Sequence, residues 1–473
     1  MRMRETLERE IKLAPGEGFV LPELGGERLP PRVFVSTYHD TPELRLAEHG
    51  VTLRHRVEDG AGLWQLKLPA GAARLELELT GTPARPPAEM LVLLTAYLRS
   101  RELVPVARLR TRREGVRVQG AEIVDDDVAV LDGQHVERRF REIEVELREG
   151  DERTLRRLAK ELRRAGAKPA RELRPKLYRA LGLAGPAAPV AIAPDTAPRE
   201  AIGLAFEQQY RALLAHDPGT RRGDDAEELH RLRVATRRLR AYLRAARPLL
   251  DLSWAESLRA ELGWLGSSLG PARDLDVLLA HLRVEIAALG EDDAAYLQGL
   301  LDTLAAERAA AYVALAGALD SERYLALLDR LEAAAAPPLS GVEVPLAKLW
   351  QREARKTRRA FARLGDDPRD DELHAARIRV KRARYAADLA AHELGARGAS
   401  FVSAARRLQD VLGDHQDAVV AEERIRRWLP SAPGSAFAAG RLVQRERERR
   451  AAARAAWPAA WRRLDEAARR AAR

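Results

Sequence analysis

A chain of 473 residues with 81 Lys+Arg against 71 Asp+Glu carries a formal charge of +10, and its length suggests two to four domains instead of one core. The absence of cysteine excludes disulfides, thiolate catalysis and cysteine-ligated metal. No run of about 18 apolar residues offers a membrane span. The charged opening MRMRETLERE lacks the apolar centre of a secretory signal, so a cytoplasmic setting is expected.

Up to residue 182 the pattern is mostly period two, the signature of strands with one buried face. Strands are expected over 6–13, 32–38, 51–57, 62–68, 73–80, 104–113, 116–119, 122–131 and 137–148, with helices over 86–101 and 151–166. This is an α+β domain built on antiparallel strands, with closure into a barrel as one outcome. An Ala/Pro-rich stretch, 183–198, reads as a semi-rigid linker. From 199 to 473 Ala, Leu, Arg and Glu recur at helical spacing, as in a bundle.

The polar faces of the N-terminal strands carry charge in pairs. In LEREIKL, Glu8, Glu10 and Lys12 share one face. Arg54 and Arg56, Lys67, Arg74 with Glu76 and Glu78, Arg108, Arg110 and Arg112, and Glu142, Glu144 and Glu146 follow in register on later strands. A solvated face would mix in Ser, Thr, Asn and Gln. Repeated Arg/Lys and Glu pairs instead suit a charged interior, in which arginine forks match phosphate oxygens. Carboxylates two residues apart lie about 7 Å from each other along a strand, close enough to share a hydrated Mg²⁺.

The ordered set ERE-I-K, TYHDTPELRL, GVTLRHR, WQLKLP, RLELEL, RTRR and EIEVEL resembles the CYTH family of triphosphate tunnel metalloenzymes over residues 1–182. The resemblance implies an eight-stranded antiparallel barrel whose tunnel binds a triphosphate with Mg²⁺ or Mn²⁺. Matched position by position, Glu8 and Glu10 would hold a metal that bridges the substrate. Lys12, Arg54, Arg56, Lys67, Arg110 and Arg112 would grip phosphate oxygens. Glu144 and Glu146 would hold a second metal or position the attacking water. Lys176 matches a late basic residue, although Pro175 stands where the family usually has Ser.

The helical half contains a large repeat, about 199–336 and 346–473. LHRLRVATRRLRAYLRA and LHAARIRVKRARYAADLA begin one residue before His230 and His374, which are 144 positions apart. Basic residues follow each His at +3, +7, +8 and +10: Arg233, Arg237, Arg238 and Arg240, then Arg377, Lys381, Arg382 and Arg384. The +3, +7 and +10 positions share one helix face with the His. Residues 229–248 contain no acid to offset this stripe, so an external anion is expected to do so. Asp274, Asp276 and Asp417 are candidates to orient it. The copies part at +14, where Arg244 stands opposite Asp388.

This half resembles the CHAD domain, often found fused to CYTH. The resemblance implies two pseudo-symmetric four-helix bundles with inorganic polyphosphate in a basic groove between them. Residues His230, Arg233, Arg237, Arg240, His374, Arg377, Lys381 and Arg384 would contact it, which would associate the chain with polyphosphate granules. The combined expectation is a metal-dependent inorganic triphosphatase that also binds polyphosphate. The alternatives are a non-catalytic polyphosphate-binding protein and a CYTH enzyme for an organic triphosphate, an adenylate cyclase or thiamine triphosphatase. Neither a membrane nor nucleic acid is expected as a partner, since no nucleic-acid module or interleaved aromatics accompany the basic stripes.

Overall fold

The computed structural model describes residues 3–71, 73–170, 174–186 and 190–472. They form two compact units, Met1–Ala188 and Pro189–Arg473. The first is α+β. Its strands are β1 (Arg4–Glu8), β2 (Glu10–Ala14), β3 (Glu27–Asp40), β4 (Thr52–Glu58), β5 (Ala61–Ala70), β6 (Ala73–Thr80), β7 (Val104–Val118), β8 (Ala121–Asp132), β9 (His135–Leu147) and β10 (Lys168–Pro169). Its helices are α1 (Arg45–Glu48), α2 (Ala88–Leu98), α3 (Glu152–Arg164) and α4 (Lys176–Leu181).

Among the described residues the strands form one antiparallel sheet in the order β1-β6-β5-β4-β3-β7-β8-β9-β2-β10. β1 and β2 are successive pieces of one stretch, parted only at Arg9. Glu8 pairs with Arg74 of β6, whereas Glu10 pairs with Glu146 of β9. The sheet therefore curls until both ends of its order reach the same stretch, but no ladder joins β1 to β2. The expectation of eight strands is corrected to ten. The expected strand 6–13 is divided because its two halves bond to different neighbours.

Turn chemistry sets the register. Gln119 and Gly120 both have positive φ, 51° and 76°, which gives the tight hairpin that matches strand twist. Val118 is thereby fixed opposite Ala121, and Arg113 opposite Asp126. The expected break near residue 114 is absent, since Gly115 stays in the ladder opposite Val124.

On the outer face, Leu13, Val116, Val118, Ile123, Ile143 and Val145 pack against Leu155, Leu158 and Leu162 of α3. Each such side chain, fully buried, contributes about 1.5–3 kcal/mol. Asp151 caps α3 by accepting hydrogen bonds from the Arg153 and Thr154 amides, both 3.1 Å. A second cluster gathers Tyr38, Leu109, Val128, Leu177 and Tyr178 with Ala47 of α1. This cluster shares the inward phase of Arg113 and Asp126 and fills one end of the inner face, and the rest of that face is mostly polar.

The second unit contains α5 (Pro198–Arg222), α6 (Ala226–Ala245), α7 (Leu252–Ala287), α8 (Glu291–Leu319), α9 (Glu322–Ala333), α10 (Leu346–Phe361), α11 (Asp370–Leu389), α12 (Ala391–Trp428) and α13 (Ala436–Ala471). Consecutive helices pack from α5 to α8 and again from α10 to α13, while α9 lies on α5 and α7. α6 packs on α11, and Leu279, Leu282, Leu297, Leu300, Ile425 and Leu442 build a core common to α7, α8, α12 and α13. Among the described residues no helix is long and apolar enough to cross a membrane.

Candidate functional site

The curled sheet surrounds a partly open cavity of about 1000 Å³. Strand alternation carries side chains into it from nearly every strand. Glu8, Glu10 and Lys12 enter from the first stretch, Arg54 and Arg56 from β4, Gln65 and Lys67 from β5, and Arg74, Glu76 and Glu78 from β6. Arg113 and Arg117 come from β7, Glu122 from β8, Glu144 and Glu146 from β9, and Lys176 from the start of α4.

These charges are paired in two groups. In the first, Lys67 Nζ donates to both carboxylate oxygens of Glu8, at 2.7 and 2.6 Å, and lies 3.5 Å from Glu76. In the second, Lys12 and Lys176 converge on Glu144 Oε1 at 2.7 and 2.8 Å. Lys176 also reaches Glu142 at 2.7 Å and Asp126 at 3.0 Å. Arg113 makes a fork to Asp126, 2.7 and 2.6 Å, and touches Glu144 at 3.3 Å. Arg54 is held by Gln65 (2.8 Å) and the Tyr38 hydroxyl (3.1 Å), and Arg56 lies over the Phe34 ring at 3.7 Å.

Protonation follows from this pairing. Burial works to raise Glu8 and Glu144, but Lys67 in one case and Lys12 with Lys176 in the other override it, so both carboxyls lie below the usual range. Glu142, Glu144 and Asp126 likewise hold Lys176 well above the ordinary lysine value despite its burial. Glu10 and Glu146 behave oppositely. Burial raises Glu10 more than Lys12, 3.4 Å away, can lower it. Burial also pushes Glu146 up to about 7, with Arg148 at 2.8 Å as its ion-pair partner. Arg56 is pushed down to about 10 by burial and by Arg54.

Among the described residues no group of three or more Asp, Glu or His is gathered as a ready metal cage. Glu10 and Glu146 face each other in the β2–β9 ladder. Both are half-buried, and desolvation outweighs Lys12 and Arg148 in raising them, the condition that a divalent cation relieves. The residues present fit such an ion.

The helical unit holds a second polar concentration. The stripes of α6 and α11 approach so that Lys381 is surrounded by Arg377, Arg237, Arg233 and Arg384. Burial and these arginines push the lysine down to about 7. Among the described residues Arg237, Arg240, Arg377 and Lys381 make no hydrogen bond or ion pair, and the Nε atoms of Arg237, Arg238, Arg377 and Arg384 are buried without a partner. Arg233 has a salt bridge to Asp274 at 2.8 Å, and His374 bonds Gln416 at 2.7 Å. Asp276 binds Arg308 and Tyr312 instead of the stripe, at 2.5 and 2.8 Å.

Residues 6–173 match the model of the CYTH domain, and residues 204–426 that of the CHAD domain. The chain is a CYTH–CHAD protein. It is 32% identical over 519 aligned positions to an uncharacterized protein of Mycobacterium tuberculosis strain H37Rv, covering 99% of this chain and 98% of that one. Among solved structures, PptA from Streptomyces chartreusis is 25% identical with a TM-score of 0.48, covering 56% of this chain and 99% of that chain. The CHAD domain from the plant Ricinus communis is 28% identical with a TM-score of 0.47, covering 59% and 95%.

In the CYTH domain the structure brings Glu8, Glu10, Lys12, Arg54, Arg56, Lys67, Glu144, Glu146 and Lys176 to one cavity. Arg110 and Arg112 are corrected: they are exposed on the outside, Arg112 paired with Glu114 at 2.9 Å. The inward phase of β7 is the odd one, and Arg113 takes the interior place. The run RLRTRR offers cations in both phases, and the Gln119–Gly120 turn with the Arg113–Asp126 pairing chooses between them. Asp126 was hidden in the same way within DDD, 125–127, where alternation has no contrast. In the CHAD domain the two stripes meet at Lys381, while His374 is exposed.

Proposed function

We propose that the CYTH domain hydrolyses a phosphoanhydride bond of inorganic triphosphate with a divalent metal, and that the CHAD domain binds inorganic polyphosphate. The observation that carries the first part is the cavity's division of labour. Cations that reach its centre are interleaved with carboxylates, and two of those carboxylates, Glu10 and Glu146, lack full compensation.

Arg54, Arg56, Arg113, Lys12, Lys67 and Lys176 supply forks and point charges for phosphate oxygens. An entering triphosphate competes with Glu8 for Lys67 and with Glu144 for Lys12 and Lys176. As the lysines turn to phosphate, those carboxylates lose their partners. Glu10 and Glu146, with Glu8 beside them, would hold Mg²⁺ or Mn²⁺. Such an ion, when bound, offsets phosphate charge and lowers the pKa of water. Glu144, freed from its lysines, stands on the same strand face as Glu146 to accept a proton from the attacking water. The Arg113–Asp126 fork keeps the arginine aimed inward throughout, so charge that develops on the phosphoryl oxygens meets a fixed donor.

The second part rests on Arg237, Arg377 and Lys381, which among the described residues make no hydrogen bond or ion pair, in the region where α6 packs on α11. Charge reversal at Arg237→Glu with Lys381→Glu is expected to abolish polyphosphate binding by the full chain. Retained binding would remove this half of the proposal. For the CYTH half, Glu8→Gln or Glu144→Gln should eliminate metal-dependent phosphate release, and full turnover in either variant would refute the assignment.

A further inference from the structure

The two CHAD repeats, aligned on His230 and His374, carry arginine at +8 in both copies, Arg238 and Arg382. At +14 they carry Arg244 in the first and Asp388 in the second. Across the α6–α11 contact each +14 residue is an electrostatic neighbour of the opposite helix's +8 residue, Asp388 of Arg238 and Arg244 of Arg382. At one corner Asp388 thus meets Arg384, Arg238 and Arg406. At its pseudo-symmetric mate Arg244 and Arg382 repel each other, with Arg379 and Glu353 also beside Arg382.

The cationic corner continues the stripe. Arg233, Arg237, Arg240 and Arg244 follow at steps of four, three and four, and Arg247 lies three further on in the turn after α6. From Arg233 to Arg244 the row remains on one helix face for about 16 Å. On α11 the equivalent row ends at Arg384, because Asp388 follows.

At the Arg244 end lies a separate cavity of about 350 Å³, lined by Arg244, Arg247, Arg259, Arg352 and Lys356. Its two carboxylates are engaged already: Glu256 with Arg259 at 2.5 Å and Arg247 at 3.4 Å, and Glu353 with Lys356 at 2.5 Å. Among the described residues Arg244 and Arg352 have no hydrogen bond or ion pair. Arg240 faces Arg259 and so connects this cavity to the central stripe.

We infer that this cavity is a second phosphate subsite, which receives the part of a polyphosphate chain that runs past Arg240, at one end of the groove only. The inference rests on the polyphosphate reading of the groove and extends it. A tripolyphosphate seated at Arg237, Arg377 and Lys381 is too short to occupy both places, whereas a long chain fills both.

The test is calorimetric titration of the full chain with tripolyphosphate and with long-chain polyphosphate across a range of salt. Arg244→Asp with Arg352→Gln copies the closed corner. The same titration with Arg244→Gln and Arg352→Gln removes charge without adding any, in case the aspartate repacks the corner. Both pairs should weaken long-chain binding roughly tenfold or more. They should also reduce the slope of log affinity against log salt by about 1 to 2, with tripolyphosphate binding unchanged. Wild-type long-chain affinity and slope in both pairs would overturn the subsite. The variant Arg237→Glu/Lys381→Glu serves as the groove-null reference and reports any share taken by the CYTH cavity. If it binds long chains as the wild type does, the groove reading itself fails, and the subsite with it.

Discussion

Glu10 and Glu146 are opposite each other in the β2–β9 ladder, and burial disfavours the charge on both. A residue kept for stability alone would not be placed this way. Glu146→Gln should therefore leave resistance to urea unchanged or improved while kcat for tripolyphosphate falls about 100-fold or more. A parallel loss of both would make Glu146 structural. Arg110→Ala and Arg112→Ala supply the contrast, since both side chains are outside the cavity. Each should keep kcat/KM within about twofold.

Lys381 gives a pH signature. Its free-state pKa near 7 is set by burial and by Arg377, Arg237, Arg233 and Arg384, and a bound polyanion raises it. Binding thus takes up a proton. Affinity is greatest below about 7 and falls by up to about tenfold per pH unit as pH rises from there to the higher bound-state value. Titration of the full chain between pH 6 and 9 should show this decline, and Lys381→Arg should flatten it. A decline of the same slope in Lys381→Arg would assign the proton to the ligand or to another group.

At the scale of elements, the strands that were legible in the sequence were those whose two faces differ in chemistry. REIEVEL sets Glu142, Glu144 and Glu146 against Ile143, Val145 and Leu147, and its phase follows directly. β7 and β8 were expected as strands, but which of their faces points inward was not legible. RLRTRREGVRV carries arginine in both phases, and VDDDV is acidic in three consecutive positions. Their facing is decided by the hairpin turn at Gln119–Gly120 and by the pairing of Arg113 with Asp126. The split of the first strand at Arg9 was also illegible, because it depends on partners more than 60 residues away, Arg74 and Glu146.

That pairing is testable. Asp126 is fully buried and bonded to Arg113 and Lys176. Asp126→Asn leaves two buried cations short of a counter-charge, and breaking such a pair costs about 3–5 kcal/mol. Denaturant unfolding followed by Trp64, the tryptophan buried in β5 of the CYTH unit, with a Trp64→Phe control to identify its signal, should show a loss of this size. A loss below about 1 kcal/mol would mean the pair is incidental.

At the scale of the whole chain, a +10 charge is distributed by two rules. In the CYTH unit cations are matched by carboxylates around a partly open cavity, as the proposed chemistry on a metal–anion substrate needs. In the CHAD unit, among the described residues, Arg237, Arg240, Arg377 and Lys381 make no hydrogen bond or ion pair, as the proposed polyanion site needs. The repeat made the second rule readable, since the basic spacing recurs 144 residues apart. The departure at Arg244 and Asp388 acquired meaning only once α6 and α11 were seen to pack.

The central claim is that the CYTH cavity is a metal-dependent active site for a triphosphate. Phosphate release from tripolyphosphate by the full-length protein, with Mg²⁺ and then with excess chelator, tests it most directly. The account predicts sustained release that the chelator abolishes and added Mg²⁺ restores. Tight binding of tripolyphosphate without any release under either condition would contradict it, and would leave the cavity an anion-binding site.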